Sequence, residues 1–422
     1  MWYFIREISH LLAKYKSCRL LETPMTGFPP LTGIRVLDLS RVLAGPFCSM
    51  TLSDLGAEVI KVEMPGSGDD TRAYPPFIGT QSSYFMSTNR GKKSITLDLK
   101  APEGREALHR LAKNSDVVLE NFRPGVTERL GVDYRTLNGI NPRIIYCSIS
   151  SFGQTGPYAE KPGYDLIIQG MGGLMGITGE REGPPTRIGV AITDLGAGMW
   201  AIIAILSALR SRDRDGKGQY IDVSMLDGSV AWMTYVAGNY FATGEVPQRM
   251  GSAHPSIVPY QAFVASDNKS ILIAGGNDRL FVSLCEGLGL QYLSKDPRFV
   301  TNEKRVENRV TLIPMLEERF KTKPRDEWLI ILEKLGLPVA PVYTIDEIFK
   351  DPQVKHRGIV FEMNHKEAGV IKQIAPVLKF SETPCVTNLP PPVLGEHTDE
   401  VLTTLAGYSL EEVKKLREKG VL

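Results

Sequence analysis

One carboxylate stands at the start of the most apolar stretch of the chain. Asp194 immediately precedes residues 195–209, which carry no charge and therefore predict a buried helix. Aspartate is a favoured cap at the start of a helix, where the positive end of the helix dipole also stabilises an ionised carboxylate. Position alone makes Asp194 a helix cap, and the alternative is a nucleophilic carboxylate.

The segment before Asp194 is rich in glycine but carries no complete phosphate-binding motif. Gly170, Gly172, Gly173 and Gly176 approach the dinucleotide fingerprint GxGxxG, but the last glycine falls one residue late and no clear strand precedes the run. A flexible loop is the simpler interpretation, and a nicotinamide-dependent oxidoreductase stays as an alternative. The motifs of P-loop proteins, hydrolase nucleophile elbows and HExxH zinc proteases do not occur in the sequence.

The elements that must position these residues alternate regularly. Strand-like and helix-like segments follow one another from residue 33, which indicates βαβ units and a mainly parallel sheet. The predicted strands are 33–39, 57–62, 94–98, 116–120, 143–148 and 220–225, and the predicted helices are 47–55, 102–113, 195–210 and 226–241. Such a sheet binds ligands beyond the carboxyl ends of its strands. The loops expected to form the site are 40–46, 65–71 and 121–125.

A smaller α+β domain is predicted in the second half of the chain. Two strands, 260–265 and 270–274, precede a mostly helical region that includes 310–320 and 325–335. The expected organisation is a leader or extension at 1–29, a large α/β domain at 30–225, a linker helix and small domain at 226–345, and a mixed tail at 346–422.

Composition excludes several classes of protein. The 422 residues are 42% hydrophobic and 23% charged, which is ordinary for a globular protein and unlike a disordered or collagen-like chain. A net charge of +1 argues against a dedicated nucleic-acid binder. The five cysteines and six histidines are scattered, so we expect no metal site and no disulfide framework. The longest uncharged apolar run is shorter than the ~18–20 residues that a membrane span requires.

The first 25 residues leave the cellular compartment open. Four basic residues among apolar ones resemble a transit peptide, whereas two glutamates and the lack of a cleavage-type apolar core count against one. Sparse cysteine fits a reducing compartment. We expect a cytoplasmic protein, with the mitochondrial matrix as the alternative if residues 1–25 are a transit peptide.

Several ordered motifs carry a family resemblance. They are residues 43–46 (LAGP), 55–63 (LGAEVIKVE), 89–98 (NRGKKSITLD), 120–125 (ENFRPG), 128–131 (ERLG), 163–165 (GYD), 193–195 (TDL), 216–225 (GKGQYIDVSM) and 394–398 (LGEHT). In these motifs the chain resembles the class III CoA-transferases, the family of formyl-CoA transferase and carnitine CoA-transferase. The resemblance runs from about residue 30 to the C-terminus.

The resemblance implies a fold and an activity. The fold is a large Rossmann-like α/β domain built from both chain ends, a smaller α+β domain, and two chains interlocked as a homodimer. The activity is transfer of CoA from an acyl-CoA donor to a carboxylic acid through a covalent aspartyl intermediate, with Asp194 as the nucleophile. CoA thioester is then a substrate, and no tightly bound cofactor is expected. Succinyl-CoA is the expected donor, and the acceptor acid stays open.

The resemblance also implies which residues contact CoA. The matched positions are Val42, Leu97, Lys100, Asn121, Phe122, Arg123, Arg129 and Lys161; Leu43 and Tyr164 are added beside the thioester. The four cations in this set suit the CoA phosphates, because charge-assisted hydrogen bonds to phosphate are strong. Phe122 suits the adenine or the pantetheine arm.

A sister group with the same fold supplies the main alternative. The 2-methylacyl-CoA racemases use a histidine thirty residues before the aspartate, where this chain has Tyr164. Tyrosine, with an ordinary pKa near ~10, is a poor base at neutral pH, which favours a transferase. Leu43 in place of a glutamine and Met64 in place of a cation argue against specificity for formate and oxalate.

Overall fold

The computed structural model describes residues 27–387 and 389–422. Most of the leader expected at 1–29, including the transit peptide considered there, lies outside the described residues. In chain order the strands are β1 (Arg35–Asp38), β2 (Glu58–Glu63), β3 (Phe77–Ile78), β4 (Gln81–Ser82), β5 (Lys92–Thr96), β6 (Val117–Glu120), β7 (Ile145–Ser150), β8 (Tyr220–Ser224), β9 (Tyr260–Val264), β10 (Ser270–Ala274), β11 (Val339–Pro341), β12 (Val360–His365) and β13 (Gly369–Ile374).

The helices connect and cover these strands. They are α1 (Ala44–Asp54), α2 (Ser83–Ser87), α3 (Pro102–Lys113), α4 (Val126–Leu130), α5 (Tyr134–Ile140), α6 (Asp165–Met171), α7 (Leu174–Ile177), α8 (Ile192–Asp215), α9 (Met225–Ala231), α10 (Thr234–Thr243), α11 (Asp278–Leu288), α12 (Asn302–Glu307), α13 (Arg309–Phe320), α14 (Arg325–Lys334), α15 (Ile345–Ile348), α16 (Pro352–His356), α17 (Thr398–Thr404) and α18 (Leu410–Glu418). Helix α3 confirms the prediction over 102–113, with Pro102 in its first turn, where a missing N–H costs nothing.

Six strands form one parallel sheet in the order β5-β2-β1-β6-β7-β8. The predicted α/β class is therefore confirmed. The chain moves outward from β1 through β2 to β5 and then returns to β6, on the other side of β1. The strand order thus reverses between β1 and β6. Such a reversal opens a crevice at the carboxyl ends of the two strands, where α/β proteins bind ligands.

Helices cover the sheet with two apolar cores. Leu52 of α1 and Ile205 of α8 belong to one core, together with inward side chains of β1, β6 and β7. Leu108 of α3, Val401 of α17 and Val413 of α18 belong to the other. The C-terminal helices α17 and α18 therefore pack in the same helix layer as α3, which lies much earlier in the chain.

Helix α8 is unusually long and apolar, with 24 residues. Within 27–387 and 389–422 it is the one helix long and apolar enough to cross a membrane by length and composition. This is weak evidence, because the core helix of a globular protein meets the same criteria. Ala197, Ala201, Ile205 and Ala208 of α8 lie in the core beside the sheet. The helix extends beyond the predicted 195–210 at both ends.

The described chain divides into two compact units. The first holds the parallel sheet and comprises the residues up to Ile168, Ala191–Trp232 and Arg357–Leu422; the second comprises Gln169–Val190 and Met233–His356. The second unit contains the antiparallel sheet β11-β10-β9. In its core Phe320 stacks on Phe263, with ring centroids 4.7 Å apart, and meets Trp328 edge-on.

The helix predicted over residues 226–241 is broken, so that prediction is wrong. Helix α9 ends at Ala231 and α10 begins at Thr234, whose φ is +35°. A β-branched residue rarely adopts a positive φ, so local propensity does not predict the break. Apolar residues continue across the break, so the periodicity of the sequence predicted a single helix. The antiparallel hairpins β3-β4 and β12-β13 were also not predicted.

The contact between α1 and α8 sets where Asp194 lies relative to the loop after β1. A Cβ atom on Gly198 would lie 2.7 Å from the carbonyl oxygen of Ala44 and 2.9 Å from Phe47 Cδ1. The two helices approach this closely because residue 198 has no side chain. We therefore expect Gly198→Ala to lower the free energy of unfolding by about 1–3 kcal/mol through overpacking.

Urea denaturation of Gly198→Ala tests this expectation. The matched control is Gly139→Ala in α5, where an added Cβ meets nothing within 4 Å. Alanine there is expected to stabilise the helix by roughly 0.5–1 kcal/mol. Equal stabilities of the two variants would contradict the close approach of α1 and α8.

Candidate active site

A solvent-open cavity of about 910 Å³ lies at the crevice between the carboxyl ends of β1 and β6. Its walls come from the loops after β1 and β6, from the segment after β7, and from the first turn of α8. Of the residues predicted for the site, it is lined by Val42, Asn121, Phe122, Arg123, Lys161, Tyr164 and Asp194. The structure thus brings the proposed nucleophile to the position that the strand order favours for a ligand.

A second cavity of about 770 Å³ continues from the first. Arg41, Asp70 and Phe122 line both cavities, so the two meet at these side chains. Leu97 and Lys100 line the second one, beyond the carboxyl end of β5. The loop expected at 65–71 contributes its residues 67–70 here. Together the cavities form a long groove that suits an extended ligand better than a compact one.

Two predicted contacts line neither cavity. Leu43 is buried directly before α1, within the packed interior. Arg129 is exposed on α4, and its guanidinium lies 3.3 Å from the position that a Cβ on Gly125 would occupy. Arg129 therefore lies against the turn at 121–125 rather than inside the groove.

Asp194 occupies the third position of α8, and the prediction that it caps the helix is wrong. The helix begins at Ile192, and its N-cap residue is Ala191, whose side chain makes no capping hydrogen bond. Aspartate in the first turn still faces the positive end of the helix dipole. The capping interpretation failed because the helix begins at Ile192, three residues before the apolar run that starts at Leu195.

Burial and a neighbouring charge change the acidity of Asp194. Removal from water and the negative charge of Asp165 together raise its pKa to about 7. The helix dipole alone would lower this pKa, so burial outweighs the dipole here. A carboxylate with a pKa near 7 is ionised in about half of the molecules at neutral pH, and it is a stronger nucleophile than an ordinary carboxylate.

Asp165 supports the first turn of α8. One of its carboxylate oxygens accepts hydrogen bonds from the backbone N–H of Thr193, at 3.0 Å, and from the Thr193 hydroxyl, at 2.9 Å. Its role was missed because 28 residues separate the partners. The motifs GYD and TDL gave the signal, since Asp165 and Thr193 both belong to them.

Asn121 uses its side chain to hold the neighbouring loop. Its Oδ1 accepts the N–H of Arg41 at 2.8 Å, and its Nδ2 donates to the carbonyl of Arg41 at 2.7 Å. The guanidinium of Arg41 also lies 5.5 Å from the centroid of the Phe122 ring. Sequence reasoning named the loop at 40–46 but missed Arg41, although a cation at the end of β1 was the available signal.

Glu120 is a second carboxyl group that sequence reasoning missed. It ends β6, is buried, and accepts the N–H of Phe122 at 2.7 Å, which closes the turn at 121–125. Burial raises the pKa of Glu120 to about 7. A glutamate at a strand end looks like a solvated residue in the sequence, which is why its role could not be predicted.

Several cations that make no ion pair within the described residues lie in or beside the groove. Lys100, Arg123 and Arg129 are exposed, and none of them makes an ion pair within the part of the chain that the structure describes. Lys161 lies over the ring of Tyr158, with its Nζ 3.8 Å from the ring centroid. Uncompensated cations at a groove that also holds a carboxylate suit an anionic substrate and nucleophilic chemistry.

Comparison with known proteins shows the family to which the chain belongs. The model of CoA-transferase family III matches residues 31–398. The chain is 45% identical over 394 residues to the succinyl-CoA:glutarate CoA-transferase of Mus musculus, covering 93% of this chain and 90% of that protein. It is 43% identical to the succinate–glutarate CoA-transferase of Agrobacterium fabrum, covering 89% and 96%. A crystal structure of a CAIB/BAIF family protein from Brucella suis aligns with a TM-score of 0.81 at 46% identity, covering 90% of this chain and all of that one.

The fold and the groove define an α/β enzyme that acts on an extended anionic substrate. The chain belongs to CoA-transferase family III, and it is a CoA-transferase of acyl-CoA metabolism. The family predicted from the sequence is therefore confirmed, and CoA thioesters are its substrates.

The raised pKa of Asp194 predicts a pH-dependent gain in stability on substitution. In the unfolded chain the carboxyl has its ordinary value of 3.8, so the folded state binds the proton more tightly. Folding stability is therefore lost as the pH rises from about 4 through about 7. An asparagine at this position would carry no charge at any pH. We therefore expect Asp194→Asn to unfold at a higher temperature than the unsubstituted protein at pH 8, with little difference at pH 4.5.

Thermal melts at both pH values measure this effect. Asp213→Asn, an exposed position on the same helix, is the matched control and should change the melting temperature by a similar amount at both pH values, because an ordinary exposed carboxyl is ionised at both. If Asp194→Asn gave the same difference in melting temperature at both pH values, the raised pKa would be contradicted.

Proposed function

We propose that this protein transfers CoA from succinyl-CoA to a dicarboxylic acid, with Asp194 as the covalent nucleophile. The observation that carries the proposal is the position of Asp194, which lines a groove whose other walls hold uncompensated cations. The chain's similarity to two CoA-transferases of succinate and glutarate supports the choice of donor and acceptor. We accordingly propose glutarate as the first acceptor to test.

The proposed reaction begins with the donor. The Asp194 carboxylate attacks the acyl carbon of succinyl-CoA, the C–S bond breaks, and CoA leaves as a thiolate while a mixed anhydride forms. The thiolate then attacks the aspartyl carbonyl, which releases succinate and leaves Asp194 as a CoA thioester. Splitting the transfer into covalent steps conserves the energy of the thioester, which direct hydrolysis would dissipate.

The acceptor half repeats these steps in reverse. The acceptor carboxylate attacks the aspartyl thioester and displaces CoA as a thiolate, forming a second mixed anhydride. The thiolate attacks the acceptor carbonyl, which gives the new acyl-CoA and regenerates the Asp194 carboxylate. No atom is oxidised or reduced, so we propose no tightly bound cofactor.

CoA is proposed to lie along both cavities. We propose that Lys100, Arg123 and Lys161, which line the two cavities, meet its phosphates, and that Leu97, Val42 and Phe122, which line the same cavities, contact adenine and pantetheine. Tyr164 is 70% exposed beside the first cavity, where it can cover the acyl group.

Three predicted residues take modified roles in this proposal. Asn121 shapes the loop through Arg41, as its two hydrogen bonds indicate. Arg129 is proposed to meet a phosphate from outside the turn at 121–125. Leu43 is proposed to support the wall from the interior, because it is buried.

The homodimer implied by the resemblance is also part of the proposal. Helix α8 presents Met199 and Ile203, each 54% exposed, together with Trp200. A row of large apolar side chains on a long helix is costly to leave in water, and a second copy of the chain would cover it. Interlocking of the two chains is the arrangement that we propose.

We propose a cytoplasmic location for this enzyme. Within the described residues, the side chains of Cys48, Cys147, Cys285 and Cys385 are free thiols, which agrees with a reducing compartment. The mitochondrial matrix is the alternative, and microscopy of the full chain fused to a fluorescent protein at its C-terminus distinguishes the two.

Replacing the nucleophile provides the test of the covalent route. We expect Asp194→Asn to reduce turnover of succinyl-CoA and glutarate by about 10³-fold or more, while CoA binding survives, because the amide cannot attack the acyl carbon. Hydroxylamine added after succinyl-CoA should convert Asp194 of the unsubstituted enzyme to a hydroxamate, which mass spectrometry detects. Asp213→Asn is the control and should retain activity. Full activity of Asp194→Asn would reject the proposal.

Sedimentation velocity tests the interlocked dimer. Threaded chains separate only on unfolding, so we expect twice the mass of one chain at every concentration down to the nanomolar range. Ile203→Lys should impair assembly, because it places a charge in the proposed interface, whereas exposed Arg210→Glu on the same helix should not. A monomer that appears simply on dilution would contradict the interlocked arrangement.

A further inference from the structure

Val42 has a backbone conformation that its side chain disfavours. Its φ is +69°, in the left-handed region, which β-branched residues rarely enter. Its N–H points to the carboxylate of Asp69, with N···O distances of 3.2 and 3.3 Å to the two oxygens. Residue 42 therefore depends on an outside partner, because its own preference opposes the conformation.

Asp69 is itself fixed by a buried cation. Lys61 Nζ lies 2.9 Å from Asp69 Oδ2, and both side chains are wholly buried. The same ammonium donates to the carbonyl of Ser40 at 2.9 Å, two residues before Val42. The backbone N–H and the hydroxyl of Thr71 donate to Asp69 at 3.0 and 2.8 Å. One ion pair thus joins the loop after β1 to the loop after β2.

A second ion pair, between Glu63 and Arg72, fixes the backbone of Asp69. Its N–H donates to Glu63 Oε2 at 3.0 Å. The guanidinium of Arg72 holds Glu63 through both of its oxygens, at 2.7 Å each. Ser94 on β5 also donates to Glu63, at 2.7 Å. Asp69 therefore has little freedom to follow Val42 if the loop moves.

The hydrogen bond between Val42 and Asp69 lies where the two cavities meet. Arg41 and Asp70, the chain neighbours of the bonded residues, each line both cavities. A buried ion pair adds little net stability, because desolvation offsets its attraction, but it can select one arrangement of the chain. The position of this pair suggests that it fixes the groove rather than the fold.

We propose that Lys61 and Asp69 are positioning residues for CoA. Their ion pair holds Val42 in the left-handed conformation, and this conformation fixes the wall that CoA contacts as it passes from one cavity to the other. The inference rests on the proposed binding of CoA along this groove.

Substitution at residue 42 separates backbone conformation from side-chain contact. Glycine and alanine both remove the isopropyl group of Val42, but only glycine adopts a positive φ freely. We expect Asp69→Asn to weaken CoA binding about tenfold, since the neutral amide holds both Lys61 and the Val42 N–H less firmly. The double variant Asp69→Asn with Val42→Gly should recover most of that loss, and Asp69→Asn with Val42→Ala should recover none.

Isothermal calorimetry with CoA measures the series, and steady-state kinetics adds a second readout. A positioning role predicts that Asp69→Asn raises KM for succinyl-CoA more than it lowers kcat. If Asp69→Asn does not fold, Asp69→Glu keeps the charge but displaces the contact with Val42, and the same glycine and alanine pair is compared in that background.

Two results would overturn the inference. Equal CoA affinities of the glycine and alanine double variants would show that the conformation of residue 42 does not matter, while the proposed function would stand if the unsubstituted enzyme binds CoA. If the unsubstituted enzyme bound no CoA, the proposed function and the positioning role would fail together.

Discussion

The placement of two carboxyl groups at the first turn of α8 is the constraint on which the site depends: Asp194 belongs to that turn, and Asp165 is hydrogen-bonded to Thr193 within it. Asp194 is half-buried, and partial removal from water together with the negative charge of Asp165 disfavours its ionised form. Asp165 has its charge spread over the N–H and hydroxyl of Thr193. The two carboxyl groups therefore differ in environment: Asp165 is hydrogen-bonded to Thr193, whereas Asp194 lines the cavity. A carboxyl group poised in this way can be both ionised and reactive near neutral pH.

The parallel sheet brings the groove to this carboxyl group. Reversal of strand order between β1 and β6 leaves the loops after the two strands apart, and α8 starts at the crevice between them. Two side chains from other loops then hold the loop after β1: Asn121 binds the backbone of Arg41, and Asp69 accepts the N–H of Val42. Buried side chains thus fix the backbone that forms the cavity wall. Lys61 is buried within the sheet because it pairs with Asp69, one of these side chains.

Much of this arrangement could be predicted from the sequence. The alternation of strands and helices predicted the parallel sheet. A parallel sheet binds ligands at the carboxyl ends of its strands, so the loops at 40–46 and 121–125 were predicted to bind the ligand without any appeal to a family. The Pro102 helix was correct to the residue. Contacts that join distant residues could not be predicted, since nothing local marks Thr193 as the partner of Asp165. The burial of Lys61 and Lys92 could not be predicted either. A lysine within a strand normally points to solvent, whereas both of these side chains are fully buried. Asp194 was placed correctly at a helix start, but it is the third residue of that helix rather than its cap.

Transfer of an acceptor oxygen to Asp194 tests the covalent mechanism most directly. When the acceptor acid carries heavy oxygen in its reacting carboxylate, the proposed anhydride cleaves so that one labelled oxygen stays on the aspartate. Mass spectrometry of the peptide that contains Asp194, taken from enzyme quenched after turnover with succinyl-CoA, should therefore show one heavy oxygen at that residue after a single turnover and up to two after many. A peptide without label, recovered from an enzyme that has released labelled succinate, would show that the two acids react with each other directly and would contradict the account.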